Sequence, residues 1–393
     1  MSSLITKYNA RLNVGLIVCL VVCFVSPAYA GSAEQARRMH ERLAGVPPSE
    51  TVLTQMRSAI DSNDASGAAF IAMDNVNFYN ITLKNFAAPW TNRDQSVFVP
   101  LNDYIATVIG MIRDSDTVTF DKILWDDITY VGRNGVVADD PSNSNNLHYE
   151  QLERDNINLR DELQRTTQSS VQNIPPGATA GIMTSRAASE AFFVAGTNRA
   201  MFRFTLLNHM CNDLEQMHDT RLPPDRIRQD VSRSPGGDSR LFLNSCIGCH
   251  SGMDPLTGAF AYYDYDEISS QLVYDNSAVH SKFFNNDLNF PQGFRTTDDS
   301  WENRWREGQN AYLGFDGSLP GFGSGAKELG LELANSEAFA SCQVRKVFRA
   351  VCLRDSENLQ DRNAVTLITD TFRSTGYSMK QVFADSAVHC MGP

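Results

Sequence analysis

Apolar residues recur at three- and four-residue intervals through much of this chain, which predicts amphipathic helices. Met39 and Leu43 stack at i,i+4 behind a Ser32–Gln35 capping box, and Gly45 with Pro47 and Pro48 stops the turn. Ser49 caps a second helix with Val52, Leu53, Met56 and Ile60 on one face. A third carries Leu101, Ile105, Val108 and Ile112, with Phe78, Phe86, Trp90 and Phe98 as bulky core around it. Residues 133–178 lose the period: 139–146 is a loop by composition, and Leu152 to Arg165 reads as a solvated helix. Helical character returns from Ile182 to Leu214, and residues 219–245 are again irregular, with Pro223, Pro224 and the Gly236–Gly237 pair.

The C-terminal 70 or so residues are the most regular. Val344, Val347, Phe348 and Val351 mark one helix whose opposite face is Arg345, Lys346 and Arg349. Leu367, Ile368 and Phe372 mark the next, ended by Gly376, and a Ser378–Gln381 capping box opens the last, with Val382 and Phe383. The expected fold is mainly α: a multi-helix protein with irregular linkers. Its regions are residues 1–30, 31–132, 133–245 and 246–393.

The first of these reads as a processing signal. Lys7 and Arg11 precede an apolar run from Val14 to Val25, and Ala28-Tyr29-Ala30 fits the small-x-small cleavage rule. The run is too short for a bilayer, which needs ~20 residues. Val18 and Val22, before Cys19 and Cys23, do not suit a lipid anchor. Export with cleavage after Ala30, to the periplasm or another extracytoplasmic space, is the expectation, leaving no integral membrane span. The remaining chain has 32 Lys and Arg against 46 Asp and Glu, a net charge of −14. Nucleic acid and anionic lipid are therefore poor partners.

Six cysteines remain after cleavage: Cys211, Cys246, Cys249, Cys342, Cys352 and Cys390. Residues 246–250 read Cys-Ile-Gly-Cys-His, the attachment signature of c-type haem. Thiols three residues apart lie on one side of a helical turn and reach both vinyl groups of a porphyrin edge. The next imidazole is then directed at the iron. Cys246 and Cys249 are the expected thioether residues and His250 the proximal ligand of one covalent haem c. A thioredoxin-like pair would want a βαβ setting, and a zinc site two more nearby ligands. His280, 30 residues on with no cysteine beside it, does not supply them.

The distal ligand is unassigned. Met253 sits too near His250 to cross the haem, and the other candidates are His280, Met379, His209, Met210, Met217 and His218. A downstream position favours His280 or Met379; a five-coordinate iron is equally allowed and would replace electron carriage by small-ligand or peroxide chemistry. Carbonyl groups near Pro255 are candidates to hold the other ring nitrogen of His250. The aromatic run from Phe260 to Tyr265 either walls the haem or packs the core. Cys342 and Cys352, ten residues apart on one helix, are about 15 Å apart and cannot bond each other. The pairs are Cys342–Cys211 with Cys352–Cys390, or the crossed alternative.

Four stretches carry a family resemblance: Arg42 through Pro48, Cys246 through Pro255, Ser336 through Ala340, and Phe372 through Phe383. With them the chain resembles the large haem-motif proteins known first from planctomycetes, in which a helical region precedes a C-x-x-C-H-x-x-[MI]-D-P segment and a helical tail follows. The chain is shorter than the larger members and has four further cysteines. The resemblance implies an extracytoplasmic c-type cytochrome with Cys246, Cys249 and His250 as its haem residues, and names no substrate. Three functions follow as expectations. The first is electron transfer with a redox protein partner. The others are a haem enzyme such as a peroxidase, and an envelope binding protein with structural haem.

Overall fold

The computed structural model describes residues 31–194, 197–226, 239–283 and 294–392. The signal segment and most of the loop before the haem signature lie outside them. The fold is mainly α. In chain order the longer elements begin with α1 (Ser32–Ala44), α2 (Glu50–Asp61), α3 (Ala65–Met73), α4 (Asp103–Arg113) and β1 (Thr129–Gly132). The middle of the chain forms α5 (Leu147–Arg154), β2 (Leu163–Thr166), α6 (Arg186–Phe192), α7 (Arg199–Thr205), α8 (Ser239–Ser245) and α9 (Ile247–Thr257). Next come β3 (Tyr263–Asp266), β4 (Gln271–Tyr274), β5 (Ser300–Glu302) and β6 (Phe322–Ser324). The chain closes with α10 (Gly325–Ala334), α11 (Glu337–Cys352), α12 (Leu359–Ser374) and α13 (Met379–Cys390).

The helices form where the apolar stripes lie, and α11 buries Val344, Val347, Phe348 and Val351 as a face. Ser49 accepts from the Val52 N–H at the start of α2. At α1 the cap falls one residue earlier, on Gly31, which contributes no side-chain bond. Ser378 precedes α13 but makes no side-chain cap, and Gln381 donates to Asp385 rather than back to the cap. The first and last described helices meet: α13 packs on α1, α3 and α11. From α1, Arg38 donates to the carbonyl of Met391 at 2.7 Å and Gln35 to that of Gly392 at 2.9 Å.

Three small antiparallel ladders, β1–β2, β3–β4 and β5–β6, pin loops to this helical body. The solvated helix expected over Leu152 to Arg165 is not continuous. Leu163 and Leu159 are buried, the chain turns after Arg154, and Leu163–Thr166 pairs with β1. Leu367, expected on a buried face, is mostly exposed, whereas Lys346, expected on the solvated face of α11, turns inward.

Close packing fixes where side chains are excluded. A Cβ at Gly330 on α10 would collide with the backbone carbonyl of Leu124, which no rotamer change can relieve. Gly330→Ala is therefore expected to destabilise the protein by about 1–3 kcal/mol, read as a lower urea midpoint at unchanged m-value.

Candidate haem-attachment site

Helix α9 begins at its cap residue Cys246 and carries Cys249 and His250 in its first turn. The four other cysteines of the described chain are bonded, Cys211 to Cys342 with Cα atoms 5.3 Å apart and Cys352 to Cys390 at 5.5 Å. The crossed alternative is excluded. Cys246 and Cys249 stay reduced and partly exposed. The Cys249 thiol points toward the carbonyl of Leu214 at 3.4 Å. Burial, then the charges of Glu215 and Asp213, push its pKa up.

Gly248, between the two thiols, is the point of closest approach to the preceding loop. A Cβ there would overlap the imidazole of His218, and the Gly248 carbonyl accepts from the Asp219 N–H at 3.1 Å. One turn on, a Cβ at Gly252 would strike the indole of the fully buried Trp305. Both faces of the helix are thus fitted against neighbours by its glycines.

His250 and Asp254 share a face at i,i+4. The His250 Nδ1 lies 3.1 and 3.2 Å from the Asp254 carboxylate oxygens, and the carboxylate is wholly buried. An ionised carboxylate only accepts, so Nδ1 carries the proton, and in the neutral ring Nε2 is then the nitrogen with the lone pair. Arg199 at the head of α7 holds the same carboxylate, Nε to Oδ1 at 2.9 Å. Asn198, just before it, donates to the carbonyls of Phe260 and Tyr263 at 3.0 and 2.9 Å, fixing α7 to the chain that follows α9. The partner of the other ring nitrogen is thus a carboxylate, not a carbonyl near Pro255. Phe242 of α8 lies 5.9 Å from the imidazole, centre to centre. That helix occupies the end of a stretch expected to be irregular.

The donor set suits a covalently held haem: two adjacent thiols left reduced, and an imidazole whose outer nitrogen is fixed as a bare acceptor. Beside it, a cavity of about 720 Å³ runs along Asp254, Pro255, Trp301 and Phe322, with Arg226 and Glu328 at its walls. That is within the size range of cofactor and ligand sites.

Of the other candidate iron ligands, all but His218 are engaged elsewhere. His209 bonds the Tyr104 hydroxyl at 2.7 Å inside the core. Met210, Met217 and Met379 are fully buried, Met379 at the head of α13. His280 pairs with Asp264 at 2.9 Å, and Met253 is buried on α9 itself. His218 is exposed but rests against the motif's own turn. Tyr263 stacks on Phe193 and Phe260 packs tilted against it, so that aromatic run packs the core.

Burial, with the charge of Lys346 second, holds His209 well below the ordinary histidine value, and burial lowers His148 also. A lowered folded-state pKa means that the unfolded chain takes the proton first. Stability is complete above about pH 6.5 and falls as the pH drops from there toward the folded-state values, by up to about 1.4 kcal/mol per unit for each histidine. Urea midpoints between pH 7.5 and 5 are expected to show this slope, and His209→Leu to flatten it.

No protein-family model, no curated protein and no solved structure matches this chain. Among the described residues, no helix is long and apolar enough to cross a membrane. The two disulfides fit an oxidising, extracytoplasmic compartment.

Proposed function

We propose that the chain is an exported c-type haem protein. One haem is bound by thioether links to Cys246 and Cys249, with His250 as proximal ligand, and the protein passes electrons to a redox partner outside the cytoplasm. The observation that carries this reading is the selective pairing of cysteines. Four are consumed in disulfides, while the two of the signature stay reduced beside an imidazole whose Nδ1 is tied to Asp254. Bound there, haem would supply one-electron chemistry. The chain's own residues orient the imidazole and keep the Nδ1 proton in place. The signal-like segment over residues 1–30 and the resemblance to the planctomycete haem-motif proteins support the same reading.

A second reading, a haem enzyme acting on peroxide or another small ligand, is favoured by two specific observations. A buried carboxylate on the proximal histidine makes it a stronger electron donor to the metal. Of the methionines and histidines able to fill the opposite face, all but the exposed His218 are packed into the core or paired elsewhere.

The test is the matured protein produced with a haem-maturation system. Its mass is expected to exceed the cleaved polypeptide by one haem, with a thioether-type haemochrome spectrum, and Cys246→Ala with Cys249→Ala should abolish both. A colourless parent of bare polypeptide mass rejects the proposal. Low-spin iron indifferent to cyanide and peroxide supports the carrier; high-spin iron that binds them supports the enzyme.

A further inference from the structure

On the other side of the 213–215 segment that contacts Cys249, a second cavity of about 690 Å³ opens, walled by Phe86, Trp90, Asn208, Cys211 and Lys346. Lys346 is the unusual group. It leaves the solvated side of α11 and lays its amine 3.2 Å from the centre of the Trp90 ring, and it donates to the Asn208 carbonyl at 2.6 Å. Among the described residues no carboxylate pairs with it, whereas Lys84, Lys122 and Lys282 each have one. An ammonium left without a counter-charge in such a site is costly; the Trp90 ring face and the Asn208 carbonyl offset part of that cost, and burial raises the share of free amine above that of an ordinary lysine.

We propose that Lys346 is a nucleophilic amine serving this cavity, where it captures aldehydes or ketones bearing an apolar or aromatic substituent as an imine. The Nζ lone pair forms the bond to the carbonyl carbon while the carbonyl π pair moves to oxygen. Both amine protons then leave with that oxygen as water, and a C=N bond remains. The exchange is redox-neutral and needs no co-reactant. Phe86, Pro89 and Trp90 supply the apolar wall for the substituent. An uncharged carbonyl compound also suits the electrostatics, because Asp213 and Glu215 line the same cavity in a chain of net negative charge and repel anions.

Burial pushes the Lys346 amine well below the ordinary lysine value. The groups facing it are few. His209 lies behind Trp90 and is bonded to Tyr104; Asp213 is paired with Arg203, and Arg349 with Asp355. Glu215 is exposed at the rim. None of this depends on haem, so the two proposals stand or fall separately.

The experiment treats the mature protein with benzaldehyde and cyanoborohydride at pH 7 and maps the added benzyl mass on its six lysines. Each unit of lowered pKa exposes tenfold more free amine, so Lys346 is expected to be labelled at least ~10-fold faster than Lys122, Lys327 or Lys380. Lys346→Arg should remove the fast phase and leave the haem spectrum unchanged. Labelling of Lys346 in the parent at or below the rate of those three lysines overturns the proposal. Since the parent map alone decides the matter, a poorly folding variant does not shelter the idea.

Discussion

Asp254→Ala is expected to be among the most damaging single changes in this protein, costing about 3–5 kcal/mol. The carboxylate is fully buried and shared between Arg199 and His250. Its removal takes the anionic partner from the guanidinium at 2.9 Å and releases the imidazole from its fixed tautomer. Urea denaturation of the protein without haem measures the first effect; a loss under about 1 kcal/mol would mean that the pair is no more than a surface-type bridge. Asp254→Asn keeps the volume and an acceptor oxygen but not the charge. In haem-loaded protein the imidazole would then donate less electron density, so the reduction potential is expected to move positive of the parent. An unchanged potential would show that Asp254 acts on the fold alone.

Removing the Cys211–Cys342 bridge is the second large change, expected to cost about 2–5 kcal/mol, near the upper end because the bonded residues lie 131 apart in sequence. Both cysteines are replaced by serine so that no stray thiol remains to compete for the haem signature. The bridge joins the turn after Met210 to the middle of α11, where Asn208, His209 and Lys346 meet. Its loss should therefore lower the urea midpoint and loosen the Lys346 cavity together. The 38-residue separation of Cys352 and Cys390 predicts a smaller loss for that pair, and reversal of the two would argue for residual structure in the unfolded chain.

How far the sequence could be read depended on whether the cause was local. The stripes of α2, α4 and α11 are properties of one helix, and so is the argument that separates Cys342 from Cys352. The haem signature is five consecutive residues. Asp254 was within reach of the same logic, since an acid four residues after His250 on a helix shares its face, and the choice of a carbonyl near Pro255 passed it over. Arg199 carries no such signal: it arrives from 55 residues upstream through the packing of α7 on α9. Lys346 looked like one of three basic residues on a solvated face because helical period says nothing of Trp90, which approaches from a distant segment. Likewise Leu163–Thr166 is polar enough to suit a surface helix, and only β1 opposite makes it a strand.

The bond between Cys211 and Cys342 closes a ring that contains the whole of α8, α9 and the three strand pairs' last four strands. A single backbone cut anywhere between those two residues leaves one covalent molecule rather than two. On a gel run without reductant such a nicked protein would migrate as a single species and separate into two bands only after thiol treatment, so damage near the haem signature need not release it.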